Sequence, residues 1–213
     1  MLHENSLVDA VLFILVLAPS VIFHEVAHGV VAARLGDPTA RTAGRLTLNP
    51  IKHIDPFGSV LLPAMLALAR QDVFGWAKPV PVNPSRFAHP TRGMALTALA
   101  GPATNLSLAL VVGRLGPFVH VPEGVFLTDG SLWARLLFGF LVVNVALAVF
   151  NMLPIPPLDG SRLLPLVLST RGRLAYAQIS QYGFLILVIL LFVFRDSLSF
   201  LGSWIRWILL IVV

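Results

Sequence analysis

The sequence predicts an all-α polytopic membrane protein of about five to six transmembrane or re-entrant helices, with a small extended or β-hairpin element near the membrane interface. Three observations predict it. Apolar residues make up 57% of the 213 residues and charged residues only 12%, against about a quarter charged in a soluble domain. The mean hydropathy is +0.86, which makes lipid the natural solvent. Apolar runs long enough to span a bilayer alternate with short connectors that carry the Lys and Arg residues. The length suits a single membrane-embedded domain, 1–213.

The first span is Leu7 to Ala33, and Arg34-Leu35-Gly36 is its stop. No Lys or Arg precedes Arg34, and the apolar run leads straight into ionisable residues, so it is not read as a cleaved secretion signal. A polar connector runs from Asp37 to Pro56, and Thr39 to Leu48 within it is compatible with a strand. Phe57 to Ala69 is apolar but short for a crossing, so a short or re-entrant helix is expected. The stretch 70–92 contains four prolines, and Trp76-Ala-Lys-Pro-Val-Pro-Val-Asn-Pro84 cannot be helical, because proline lacks the N–H and clashes with the preceding turn. It is expected to be extended or a hairpin at the interface.

Gly93 to Leu115 and Ser131 to Phe150 are the next two spans, joined by a loop, 116–130, without Lys or Arg. Asn151 to Asp159 is a proline-broken connector, and Gly160 to Leu168 is a short helix. Leu174 to Phe194 and Leu198 to Val213 form a last helical hairpin turning at Arg195-Asp196. Basic residues cluster in 36–56, 70–92 and 171–173, which places those connectors in the cytoplasm and 116–130 outside. The predicted location is a multi-pass cell membrane protein with its site toward the cytoplasm.

Composition also excludes some chemistry. The chain has no cysteine, which rules out disulfides and thiolate metal sites. The net charge of +5 lies between apolar runs, not in one block, which fits headgroup anchoring and not nucleic acid.

The strongest motif is His24-Glu25-Val26-Ala27-His28. On a helix, positions i and i+4 share a face, so both imidazoles can reach one zinc, with Glu25 beside the metal as general base. Three ionisable groups at membrane depth are costly unless paired or metallated. The plain alternative is two His and a Glu hydrogen-bonded in a bundle core. Water-activating zinc takes three protein ligands and one open position. The residues just after His28 offer no third ligand, and the candidates are Asp37, His53, Asp55, His89 and Asp159. Asp159 precedes Gly160 at the entrance to an apolar helix, where the helix dipole favours a carboxylate. A simple capping role there is equally open on local sequence.

His24-Glu-Val-Ala-His28, Gly101-Pro-Ala-Thr-Asn105 and Asn151-Met-Leu-Pro-Ile-Pro-Pro-Leu-Asp159-Gly160 resemble, in order, the three signatures of the site-2 protease family of intramembrane zinc metalloproteases. Asn49 to Pro56 and Trp76 to Pro84 are similar to its short bacterial and archaeal branch, without PDZ or CBS domain. No segment here is long enough for either insertion. The resemblance implies one zinc held by His24, His28 and Asp159, with Glu25 catalytic. It implies an oxyanion role for Asn151 and a role near the site for Asn105. The implied substrate is a transmembrane protein or membrane peptide in the lipid bilayer. Two rivals from other classes are a metal transporter, which needs no Glu25, and a non-catalytic binder of transmembrane segments.

Overall fold

The computed structural model describes residues 6–68, 75–121, 124–127, 131–193 and 199–213. Helix α1, Ser6–Arg34, opens the chain and ends at Gly36, whose φ of +105° is the left-handed conformation that stops a helix. A single helical turn, α2, spans Thr39–Thr42, followed by a 3-10 turn at Pro50–His53. The strand expected over Thr39 to Leu48 is therefore not formed. Asp37 takes up the Thr39 backbone N–H at 3.0 Å, which starts a helical turn there instead.

A π-turn, Pro56–Leu61, runs into α3, Leu62–Leu68, matching the short helix expected between 57 and 69. Residues 75–83 are extended and form no strand ladder, and a 3-10 turn follows at Pro84–Arg86. Helix α4, Pro90–Leu115, begins with proline at its first turn and carries Pro102 inside. The chain's β-hairpin pairs β1, Phe118–Val121, with β2, Gly124–Leu127. It lies in the loop expected outside the membrane, away from the proline-rich stretch, because prolines 79 and 81 leave that stretch without the donors a ladder needs.

Helix α5, Leu132–Asn151, is capped by the Ser131 hydroxyl, which accepts from the Ala134 N–H at 3.1 Å. A 3-10 turn, Asp159–Leu163, and α6, Leu164–Val167, replace the single short helix expected there. The last hairpin departs from expectation. Leu174 to Phe194 reads as one helix, but α7, Thr170–Ser180, and α8, Gly183–Phe192, are bent by 67°. The bend brings Leu187 of α8 onto Leu153 and Leu158, burying all three. Helix α9, Phe200–Val212, closes the chain, and the Arg195-Asp196 turn lies outside the described residues.

Helices α1, α4 and α5 pack together as a bundle, and α9 adds to α5 and α4. Ala109, Leu141, Val145, Val149 and Val212 form the core between α4, α5 and α9. Outward faces remain apolar, with Phe13, Ile14, Leu15, Leu110, Val111 and Trp133 exposed. Helices with apolar outward faces and buried polar groups turned inward suit lipid and not water. Among the described residues, three helices are long and apolar enough to cross a membrane, and the α7–α8 pair makes a fourth if it crosses as one. Length and composition therefore support three to four spans, with α9 a shorter apolar helix, and do not confirm the five to six transmembrane or re-entrant helices expected.

Candidate metal centre

The site forms where α1, α4 and the Asp159 turn converge. His24 and His28 lie one turn apart on α1, and their rings meet edge to face with centroids 4.5 Å apart. Asp159, remote in sequence, reaches both. Its Oδ2 lies 3.1 Å from His24 Nε2 and 3.2 Å from His28 Nε2. Ligand atoms of the three residues all fall within 4.8 Å of one another. The other third-ligand candidates are engaged elsewhere. Asp37 bonds Thr39 and Asn83, His53 Nε2 bonds the Thr47 carbonyl, and Asp55 caps Phe57 and Gly58. His89 is exposed at the start of α4.

The opposite ring nitrogens are held from behind. His28 Nδ1 lies 2.7 Å from the Thr97 carbonyl, which can accept but not donate. His24 Nδ1 lies 2.6 Å from Asn105 Oδ1. That amide's orientation is fixed, because Asn105 Nδ2 donates to the Ser20 carbonyl at 3.2 Å and to Asn144 Oδ1 at 2.7 Å. Asn144 Nδ2 in turn donates to Ser20 Oγ and to the Phe140 carbonyl, both at 2.8 Å. Ser20, Asn105 and Asn144 are each 0% exposed. A buried amide must be fully satisfied in an apolar bundle, and here it is.

This network decides the tautomers. Both Nδ1 atoms must carry the proton, so each neutral imidazole turns a lone pair on Nε2 toward the Asp159 carboxylate. With both rings neutral, three acceptors face one another and repel unless a proton or a metal cation lies among them. Two imidazoles and a carboxylate are a donor set zinc accepts, and the hydrogen bonds behind the rings have the form that orients zinc ligands. Gly101 leaves the room. A Cβ on it would lie 2.5 Å from His24 Nε2 and 2.6 Å from His28 Nε2.

Glu25 faces a different element. Its Oε2 accepts from the Val80 N–H at 2.8 Å, and Oε1 has no partner among the described residues. The extended 75–83 segment is anchored on the same side at Trp76, whose N–H donates to Gly58 O at 3.1 Å, and at Lys78, whose N–H donates to His53 O at 2.9 Å. Arg45 Nη2 also donates to the Lys78 carbonyl. Asn151 ends α5 half-buried, with Nδ2 donating to the Leu147 carbonyl at 3.0 Å, and no bond joins it to the cluster.

The structure brings His24, His28 and Asp159, named from the sequence, together as neighbours. Sequence reasoning places Asn105 near the site without its partner. It misses Ser20, the Thr97 carbonyl and the cradle at Gly101. Asn144 joins the network behind His24. A Ser and two Asn in apolar runs were the available signal for that network. A backbone carbonyl leaves no signal, and Gly101, visible in its motif, does not announce which rings it lies against.

The model of peptidase family M50 matches residues 113–194. The Bacillus subtilis protein named "Putative zinc metalloprotease YwhC" is 37% identical over 195 residues, 91% of this chain and 83% of the relative. The Mycolicibacterium smegmatis protein named "Putative zinc metalloprotease Rip2" is 39% identical over 185 residues, 84% of this chain and 67% of the relative. A Methanocaldococcus jannaschii protein, "Putative zinc metalloprotease MJ0611", shares 46% identity over 69 residues, covering 32% of this chain and 31% of its own. No solved structure matches the chain. A metal-ready cluster within apolar helices and relatives of this length and identity lead to one conclusion: the chain belongs to peptidase family M50, the site-2 protease family of zinc metalloproteases.

Proposed function

We propose that this chain is an intramembrane zinc endopeptidase that hydrolyses peptide bonds in or near transmembrane segments, in regulated proteolysis or in clearance of membrane peptides. The whole chain acts as one membrane-embedded unit. The reading rests above all on the convergence of His24 Nε2, His28 Nε2 and Asp159 Oδ2 with both imidazole protons turned away. These three residues hold one zinc. When bound, the ion polarises the scissile carbonyl and acidifies its water.

The chain's own residues do the rest. Glu25 is held by the Val80 N–H through one oxygen, which leaves the other to take the proton of the attacking water. Glu25 then delivers that proton to the departing amide nitrogen as the C–N bond breaks. Asn151 spends one amide hydrogen on the Leu147 carbonyl and keeps a second to donate to the oxyanion. Asn105 acts through His24, whose ring it holds in the ligating tautomer.

A transmembrane helix hides its carbonyls in its own hydrogen bonds, so a substrate must unwind before cleavage. The 75–83 segment is the surface for it. Its Trp76, Lys78 and Val80 N–H groups face the enzyme. In an extended chain residues 77, 79 and 81 then face away, and with prolines at 79 and 81 they offer an extended substrate one N–H, that of Ala77, and otherwise carbonyl acceptors. Basic connectors on the same side as the cluster orient the site toward the cytoplasm.

The test is cleavage of a single-span reporter by purified protein in detergent, with and without a zinc chelator, beside Glu25→Gln and Asp159→Ala. Chelator-sensitive cleavage lost in both variants supports the reading. Cleavage that survives Asp159→Ala removes Asp159 from the ligand set. Zinc bound at one per chain with no cleavage of any reporter favours a transporter or a non-catalytic binder.

A further inference from the structure

The mechanism leaves Asp37 unused, yet it is the most completely enclosed carboxylate among the described residues, at 0% exposure. It lies just beyond the end of α1, outside the metal cluster. Its Oδ1 accepts from the Thr39 N–H at 3.0 Å and from the Thr39 hydroxyl. Its Oδ2 accepts from the Asn83 backbone N–H at 2.6 Å. A carboxylate enclosed this way needs several donors, and here one donor comes from 46 residues away.

Asn83 ends the same extended segment whose Val80 N–H holds Glu25. Prolines at 79, 81 and 84 flank these contacts, so few backbone donors exist to fix the segment. The Val80 and Asn83 N–H groups are both received by carboxylates, and both carboxylates belong to the α1 region. Val80 itself is buried. The two bonds therefore set the distance of the segment from α1 at neighbouring points. Loss of the Asn83 anchor would leave no backbone bond among the described residues tying the segment down beyond Val80, with the contacts at Glu25, Lys78 and Trp76 as the remaining anchors.

We infer that Asp37 is a positioning residue for catalysis, fixing the 75–83 segment so that the Val80 N–H orients the Glu25 carboxylate. The inference deepens the proposed protease function and rests on Glu25 being its base. Asp37 touches neither metal nor substrate, so its effect falls on turnover and leaves the metal bound. This separates it from a residue that merely holds the fold.

The experiment uses the full chain in detergent and compares Asp37→Ala, Val80→Pro and the double variant with the wild type. Val80→Pro removes the N–H that holds Glu25. Three quantities are read: zinc per chain, kcat on the single-span reporter, and hydrogen exchange of the 75–83 amides by mass spectrometry. In Asp37→Ala we expect zinc retained at wild-type content, kcat lower by about tenfold, and 75–83 amide exchange faster by at least about tenfold. In the Val80→Pro background, Asp37→Ala should lower kcat by less than about twofold further, because the two act through one contact. Unchanged exchange, unchanged kcat, fully additive losses or concurrent loss of zinc would each overturn the proposal. If the wild type cleaves no reporter, the protease reading fails first. The exchange arm still decides whether Asp37 anchors the segment, and unchanged protection there ends the inference.

Discussion

Gly101 lies against His24 so closely that a single added methyl would stand 2.5 Å from the imidazole Nε2 and 2.6 Å from that of His28. The glycine on α4 thereby keeps open the space on α1 where the two ring nitrogens and Asp159 face each other. Gly101→Ala should abolish stoichiometric zinc binding while the protein still extracts and runs as a folded species. Metal content by mass spectrometry beside size-exclusion chromatography checks this. A variant that kept one zinc per chain would place the metal elsewhere.

Asn105 is predicted to matter through His24 and not through substrate. Asn105→Ala removes the acceptor that keeps the His24 proton on Nδ1, and it leaves Asn144 and Ser20 with unmatched groups. Zinc affinity should fall by about 10–100-fold, the usual cost of losing such a partner. Competition with a fluorescent zinc chelator measures it. Full affinity with reduced cleavage would instead assign Asn105 to the reaction itself.

Glu25→Gln keeps the shape of the side chain and its capacity to accept from Val80, but cannot carry the proton. Turnover should drop by about 10²–10⁴-fold with zinc content unchanged. Chelation of the wild type should remove activity, and added zinc should restore it. Retained turnover in Glu25→Gln would transfer the base role to another group.

Asp37 should make stability depend on acid. Burial alone would raise its carboxyl, but the Thr39 side chain, the Asn83 and Thr39 N–H groups and nearby Arg86 outweigh it and hold the carboxyl below its ordinary value. A group depressed in the folded state stabilises above its unfolded value, about 3.9, and loses that contribution as pH falls through the lower folded value. The gap in unfolding temperature between wild type and Asp37→Ala should therefore be largest near neutral pH and shrink below about pH 4. A gap that stayed constant down to pH 3 would show that the charge on Asp37 contributes nothing.

Much of this molecule is written in its local sequence. Long apolar runs with few charges define α1, α4 and α5, because a single segment crossing lipid must close its backbone bonds within itself, as a helix does. The i, i+4 spacing of His24 and His28 sets two ligands on one face before any folding is considered. Serines and prolines mark helix starts at Ser131 and Pro90. Even the non-helical character of 75–83 follows from prolines 79, 81 and 84.

Other features depend on which elements meet. The bend between α7 and α8 is set by burial of Leu187 on Leu153 and Leu158, a contact no local pattern announces. Pairing of β1 with β2, and not of the proline-rich stretch, depends on which backbone donors are free. Asp159 is separated from His24 by 135 residues, and local chemistry made it as plausible a cap as a ligand. The Thr97 carbonyl, the Gly101 cradle, the Asn105–Asn144–Ser20 chain and the Val80 grip on Glu25 all join distant segments. The lipid solvent, the long helices and the paired histidines are legible locally, because each arises from neighbours along one chain. Which carbonyl, amide and missing methyl surround those histidines follows from packing, because these relations exist solely after α1, α4 and α5 have come into contact.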